Sequence, residues 1–272
     1  GWLMYRFRSA FWRDDRLEII PEIGLRIQDV FQDGQGRRFL SRAGGSIRYM
    51  TPALTGWELR PFLRPKVLFV SRQRRDLDVR RFDFLEVEPI VGVSVPIFKN
   101  LTVGLGLGMQ YRDLLELREG ESPLPRADPF DEGRSLLDID LKLRLGLSEL
   151  RIDRRHRISM QGRYFSTFSE RELFHGRLRY EKSYGIGYDE FRMRADADAV
   201  LGTVTFTDEV RVGDHLRGLF GDEFYAPIIG SLRLEYVFSI VREAFKLSVF
   251  HDFALFEGID RTDGRRFTRF AN

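Results

Sequence analysis

The sequence contains no cysteine, which excludes a disulfide framework, a thiol nucleophile and a thiolate metal site. It also has no apolar run near the roughly 20 residues that a membrane-spanning helix needs, so helical membrane proteins are excluded. Histidine occurs only four times, and no two histidines have the spacing of metal ligands. We therefore expect neither a metal nor another cofactor.

Lysine is nearly absent, because only 5 of the 44 basic residues are lysine. The 41 acidic residues are interleaved with the basic ones, so no basic stripe forms and no nucleic acid partner is expected. A signal peptide would begin with a charged segment followed by an apolar one, and the first residues do not show this pattern.

What the sequence does contain is alternation of apolar and polar residues. It is clear in "RLEIIPEIGLRI" (16–27), "LTVGLGLGMQYR" (101–112) and "LLDIDLKLRLGL" (136–147). This period predicts strands with one apolar and one polar face. We predict twelve strands and the start of a thirteenth near 265, at roughly 2–12, 16–31, 38–51, 57–71, 78–96, 100–116, 134–149, 155–167, 173–184, 190–207, 230–240 and 244–257.

The length of these strands distinguishes between membrane and soluble proteins. They run about 10–16 residues, which suits a tilted strand that crosses a bilayer, whereas soluble strands cluster near five or six. Tight turns also alternate with long polar loops, as in outer-membrane barrels. The fold class predicted is all-β, a transmembrane antiparallel up-and-down barrel; the rival is a large soluble barrel or sandwich with its apolar faces inside.

The membrane interpretation fixes which way side chains point. Apolar faces meet lipid and charged faces line the lumen. In the strand 134–149 we expect Asp138, Asp140, Lys142 and Arg144 in the lumen, and the alternate residues Ile139, Leu141, Leu143 and Leu145 against lipid. In the last two strands, Arg233, Glu235 and Asp252 fall on lumen faces.

The long loop at 208–229 carries "LRG", residues 216–218, between apolar and small residues. If this loop folds back into the lumen, Arg217 would meet Glu235 and Asp252, and a guanidinium fork suits two carboxylates. The alternative is an exposed loop arginine. Periodicity alone leaves both open.

No catalytic residues are expected. Ser248 and His251 are close in sequence, but even and odd strand positions face opposite sides, so they do not form a nucleophile–base pair. The glycines of "GLGLGM" alternate within a strand and precede no helix, so they are expected to relieve crowding in the lumen rather than bind a nucleotide.

The run from Gly213 to Phe256 resembles the C-terminal part of the BamA/TamA-type outer-membrane assembly barrels, the bacterial surface antigen family. Leu216-Arg217-Gly218 matches that family's loop motif, and "LEYVF" (234–238) and "VFHD" (249–252) match the two strands that follow. The resemblance implies that Arg217 enters the lumen and pairs with Glu235 and Asp252. This sequence departs from the family's loop motif at Leu219, where the family has an aromatic residue.

The resemblance also implies a location and a function. The expected protein is a non-enzymatic bacterial outer-membrane domain over residues 1–272, a portion of a 16-stranded barrel that is incomplete at both ends. It would act in outer-membrane protein insertion or in polypeptide or lipid translocation. Its partners would be the lipid bilayer, client outer-membrane proteins and accessory lipoproteins. Two alternatives stay open: a barrel that anchors or exports an upstream passenger domain, and a passive anion-preferring pore.

Overall fold

In the computed structural model, the described residues are 5–8, 10, 11, 13–27, 38–54, 56, 58–74, 77–98, 101–121, 133–147, 154–167, 171–216, 224–241, 245–260 and 264–271. Only the backbone is described for residues 6, 8, 25–27, 38–41, 133–147, 154, 155 and 167. Within these residues no helix is long and apolar enough to span a membrane.

The described residues form strands β1 to β15, with a short 3-10 helix at Val212–Asp214 between β11 and β12. Their bounds are β1 Tyr5–Arg8, β2 Arg16–Ile27, β3 Arg38–Met50, β4 Arg60–Arg74, β5 Val79–Phe98, β6 Leu101–Glu119, β7 Gly133–Leu147, β8 Arg154–Thr167, β9 Glu172–Ile186, β10 Asp189–Gly202, β11 Val210–Arg211, β12 Tyr225–Ala226, β13 Ile228–Val241, β14 Phe245–Ile259 and β15 Arg266–Ala271.

These strands confirm the predicted all-β, antiparallel fold, including the thirteenth strand near 265, which is β15. Two predicted bounds were wrong. The first strand ends at Arg8, and Asp15 accepts hydrogen bonds from the backbone N–H groups of Ala10 and Phe11 in the turn that follows. The tenth strand ends at Gly202, whose φ of 100° leaves the extended region, so the long loop starts earlier than predicted.

The chain divides into two compact units, which are described separately. Unit 1 comprises Gly1–Val95, Gly104–Asp138 and Phe165–Arg171, and in it β1 to β6 pair in chain order. Unit 2 comprises Pro96–Val103, Ile139–Tyr164 and Glu172–Asn272, and its strand order is β8-β9-β10-β13-β14-β15. The pair β11–β12 lies in the connection between β10 and β13.

In unit 1 the polar face of the sheet is buried and the apolar face is exposed. On β5, Glu86 and Glu88 are buried, whereas Val91 on the other face is 58% exposed. On β6, Leu107 is 61% exposed while Gln110 is buried. A soluble barrel or sandwich would bury the apolar face, so this orientation excludes the soluble alternative for these strands.

The exposed apolar face of β5 has the height of a bilayer. Every second residue from Leu85 to Ile97 is apolar, and the charged residues Asp83 and Arg81 precede this stretch on the same face. The apolar stretch extends about 40 Å along the strand at roughly 3.3 Å per residue. A tilt of about 45° reduces this to about 28 Å, close to the band of about 25 Å on outer-membrane barrels.

The interior side of unit 1 is filled by side chains. Phe62 lies against two glycine positions, because a Cβ on Gly92 or on Gly106 would meet its ring. A Cβ on Gly106 would also meet Ile90. Gly108 likewise faces Ile90. Gly106 and Gly108 of "GLGLGM" therefore make room for buried side chains, as predicted. Apolar residues buried on this side include Met50, Phe62, Leu68, Val70, Phe82, Phe84 and Ile90.

Unit 2 shows the same inversion. On β14, Leu247 and Val249 are 51% and 59% exposed, whereas Asp252 is buried. The expected facing of β7, from Asp138 to Leu145, lies outside the residues whose side chains are described and stays a prediction.

Candidate functional site: the loop docked on β10 and β13

The connection between β10 and β13 is a loop, and its described residues are 203–216 and 224–227. These described residues are largely buried. Apolar side chains along both parts pack out of solvent, which a free surface loop would not allow. The buried ones are Phe206, Val210, Val212, Leu216, Tyr225 and Ala226.

The two described parts of the loop are tied to one another by the backbone. Val210 pairs with Ala226 in the β11–β12 pair, and the Val212 N–H donates to the Phe224 carbonyl at 3.1 Å. At the base of the loop, the Val200 N–H donates to the Pro227 carbonyl at 2.7 Å. These bonds satisfy backbone groups that a buried loop would otherwise leave unpaired.

His215 joins the loop to two strands. Its Nδ1 lies 3.2 Å from the hydroxyl of Ser231 on β13, and its Nε2 lies 3.5 Å from a carboxylate oxygen of Asp198 on β10. All three residues are buried. The imidazole therefore has polar neighbours on both ring nitrogens, as a buried histidine requires.

The side chain of Arg233 on β13 binds backbone carbonyls of the loop. Its Nε donates to the His215 carbonyl at 2.9 Å, and its Nη2 donates to the Asp214 carbonyl at 2.6 Å. These carbonyls lie at the end of the 3-10 helix Val212–Asp214, where the last carbonyls of a helix lack partners within the helix. The guanidinium supplies those partners.

Asp198 on β10 is also bound by two residues of β9. His175 Nε2 lies 2.5 Å from Oδ1, and Arg177 Nη2 lies 2.6 Å from Oδ2. The next inward acid on β10, Asp196, is bound by Arg179 at 2.6 Å and Arg194 at 2.5 Å. Both carboxylates are buried, and such buried charges require pairing of this kind.

The structure describes three of the five residues predicted for this site. Leu216 is buried, Asp252 is buried and Glu235 is half-buried. Arg217 and Gly218 lie outside the described residues, so the predicted contact of Arg217 with Glu235 or Asp252 stays a prediction. In the β13–β14 register Asp252 is directly opposite Arg233, and Glu235 is opposite Phe250. On its other side Glu235 is opposite Arg192 of β10.

The sequence analysis missed the residues that hold the described part of the loop, namely His215, Ser231 and Asp198, and gave Arg233 only a lumen face. The histidines looked scattered because the partners of His215 are 16 and 17 positions away in the chain. The alternation of β10 and β13 did contain a signal, since Asp198, Ser231 and Arg233 all fall on inward positions.

Ser231, His215 and Asp198 are also the residue types of a hydrolytic triad. Nucleophilic catalysis needs a serine that substrate can reach and a histidine free to exchange a proton. Here all three are buried beneath the loop, and the carboxylate is already bound by His175 and Arg177. The geometry therefore fits an anchor better than an active site. Among the described residues no cluster of three acids or histidines is suited to hold a metal ion.

No family model matches the chain, and no curated protein matches its sequence. Its fold is similar to the crystal structure of BamA from Haemophilus ducreyi lacking POTRA domains 1-3, with a TM-score of 0.61 at 12% sequence identity. The fold is that of the BamA barrel. The match covers 93% of this chain but only 56% of that BamA chain.

This similarity confirms the predicted fold class and the predicted resemblance to BamA-type barrels. It is a fold of the bacterial outer membrane, and the exposed apolar faces of β5, β6 and β14 agree with a chain embedded in lipid. The similarity extends over nearly the whole chain, whereas the motif resemblance covered only Gly213 to Phe256.

Proposed function

We propose that residues 1–272 are an outer-membrane barrel domain of the assembly and translocation superfamily. Its function would be to insert outer-membrane proteins, or to translocate a polypeptide or lipid, without enzymatic chemistry. Client outer-membrane proteins and accessory lipoproteins would be its partners. The observation that carries this proposal is the docked loop, because the "LRG" resemblance begins at the buried Leu216, directly after His215, which contacts Asp198 on β10 and Ser231 on β13.

The proposed mechanism gives the loop a bracing role. Arg217 would bridge Glu235 and Asp252, and the braced sheet would keep its shape while a weaker strand seam opens toward lipid. Support comes from position: the His215 carbonyl contacts Arg233, which is directly opposite Asp252. Arg217 is two residues further along the chain from His215.

A passive anion-preferring pore is the main competing function. Such a pore needs guanidinium groups free to meet permeating anions. In unit 2, the inward arginines Arg177, Arg179 and Arg194 each bind a buried carboxylate. These pairings favour a braced interior over a selective channel.

The function is tested by reconstituting the protein in lipid vesicles and adding an unfolded outer-membrane barrel protein as client. We expect the client to become protease-protected and folded faster than in vesicles without the protein. Anion-selective conductance in planar bilayers, with no effect on client folding, would instead establish the pore. An effect on neither measurement would favour the passenger anchor.

The bracing role is tested at Arg217. Arg217→Ala should lower the free energy of unfolding by about 3 kcal/mol if the site is dry, because two carboxylates would lose the guanidinium proposed to bridge them. Arg217→Lys should restore only part of this, since a point charge does not bridge two carboxylates as a fork does. Denaturant unfolding in vesicles gives both values, and equal stability of Arg217→Ala and wild type would contradict the role.

A further inference from the structure

We infer that His215 and Arg233 form a latch that holds the 203–227 loop against β10 and β13 independently of Arg217. The latch consists of His215, Arg233 and the two strand side chains that His215 contacts, Asp198 on β10 and Ser231 on β13. It rests on the proposed function and deepens it, because the "LRG" motif begins directly after His215 in the sequence.

The two halves of the latch act in opposite directions. His215 is a loop side chain that reaches strand side chains, whereas Arg233 is a strand side chain that reaches loop carbonyls. A guanidinium has donors in a fixed fork, which fits two consecutive carbonyl oxygens. The loop is thus bound by its backbone as well as by one imidazole, and the contact from Arg233 needs no particular side chain at Asp214.

The strand side of the latch is rigid. Asp198 is bound by His175 and Arg177 from β9, and Arg177 is its direct cross-strand neighbour. Ser231 is opposite Asp196, which is itself bound by Arg179 and Arg194. Contacts from three strands therefore restrain Asp198 and Ser231. Because these two side chains are held in place, their contacts with His215 can hold the loop in place.

The loop meets a surface of mixed apolar and charged side chains. Phe224 of the loop packs against Phe256 of β14 with ring centroids 5.9 Å apart, so apolar contact contributes to docking as well. Hydrogen bonds from a charged donor such as the Arg233 guanidinium are among the stronger ones. The bond to the His215 carbonyl is partly buried, and the contact of the His215 ring with Ser231 is buried, so these are the polar contacts on which docking should depend most.

Docking is measured with a single reporter thiol, which is possible because the chain has no cysteine. Val212→Cys places the thiol at a loop position that is fully buried. In the folded protein in vesicles, a water-soluble maleimide should react slowly with this thiol. Loss of docking should raise the labelling rate, because labelling then reports local opening of the loop.

We expect Arg233→Gln in this background to raise the labelling rate at least about tenfold, the factor expected when hydrogen bonds to a charged donor are lost. Arg233→Lys should give an intermediate rate, because an ammonium does not reproduce the fork. His215→Phe should also raise the rate, since it removes the contacts to Asp198 and Ser231. The matched control is Arg157→Gln, which removes an arginine of β8 that binds Glu181 of β9 at 3.1 Å.

Arg217→Ala in the same background separates the latch from the family-like motif. We expect the reporter to remain protected in that variant, because His215 and Arg233 still hold the loop. The latch is overturned if Arg233→Gln and His215→Phe both leave the labelling rate at the control value. It is equally overturned if Arg217→Ala alone releases the loop.

Two features keep the outcomes distinct. Resistance of the folded barrel to SDS identifies any variant that does not fold, and Arg233→Lys then supplies the test because it keeps the charge. Labelling requires no client, so a protected reporter in a protein that does not accelerate client folding would leave the latch intact and refute the proposed function. Rapid labelling of the wild-type background would refute the latch alone.

Discussion

The inward faces of the two units satisfy their buried charges in different ways. In unit 1, Glu86 of β5 is bound by Lys66 of β4 at 2.7 Å and by Arg112 of β6 at 3.1 Å, so the charges pair between neighbouring strands. In unit 2, Asp198 is bound by β9 and also receives His215 from the docked loop. The first arrangement needs only strand register, whereas the second needs a distant segment of the chain.

This difference teaches how a charged interior can be built. Lysine, glutamate and arginine on adjacent strands form a closed triad as soon as the strands pair. A loop adds polar groups of its own that must also be satisfied, which is why unit 2 uses Arg233 for the loop carbonyls. The inward face of unit 2 therefore depends on contacts with the loop, and its structure can change when one of these contacts is lost.

The largest effect should follow removal of the acid at the centre of each arrangement. Glu86→Ala leaves Lys66 and Arg112 buried without their carboxylate, and should lower the free energy of unfolding by about 3–5 kcal/mol. Asp198→Ala should cost a similar amount and also expose the loop. Denaturant unfolding in vesicles gives the stability, and protease cleavage within 203–227 reports the loop. Cleavage of the loop in Glu86→Ala but not in Asp198→Ala would contradict the proposed difference between the two units.

The outer faces should respond alike in both units. Leu107→Arg on β6 and Val249→Arg on β14 place a charge on exposed apolar faces, and each should cost about 2–4 kcal/mol if the site is near the bilayer midplane. Leu107→Met is the control for loss of the leucine. Costs near zero in vesicles would show that these faces do not meet lipid.

The facing of β7 can be tested in the same way without measuring stability. With single cysteines, a water-soluble thiol reagent should label Asp140→Cys and spare Leu141→Cys, because only the lumen face would be wet. The reverse pattern would place the charged face of β7 against lipid and separate this strand from its neighbours.

Glycine replacement should distinguish a crowded inward position from an open outward one. Gly92→Ala should cost about 1–3 kcal/mol, because the new Cβ would meet the Phe62 ring and the β6 backbone at Leu105. Gly230→Ala on β13 should be tolerated, since no atom lies within 4 Å of the added Cβ. If Phe62→Leu does not improve Gly92→Ala, crowding by the ring is not the cause.

The smallest effects should come from exposed pairs. Arg118 with Glu116 in unit 1 and Arg157 with Glu181 in unit 2 each have an arginine more than half exposed. Arg118→Ala and Arg157→Ala should each change the free energy of unfolding by about 0.2–1 kcal/mol, and less at high salt. A loss as large as that of Glu86→Ala would mean that these sites are dry.

The sequence alone determined the strands, their pairing in chain order and the division of each strand into two faces. Period-two alternation and strand length suffice for this, because a strand places successive side chains on opposite faces whatever surrounds it. Glu235 and Asp252 could be assigned to the polar faces of their strands for the same reason. The glycines of β6 were also interpretable, since alternate glycines in a strand leave room on one face only.

Only the tertiary structure decided which face is buried and what holds the loop. Alternation is the same for a soluble barrel and a membrane barrel, and the burial of Glu86 and Glu88 beside the exposure of Leu107 distinguishes them. The anchoring of the loop depends on His215 meeting Asp198 and Ser231. No local pattern encodes such contacts, because loop residues have no period and their partners are set by where the chain returns to the sheet.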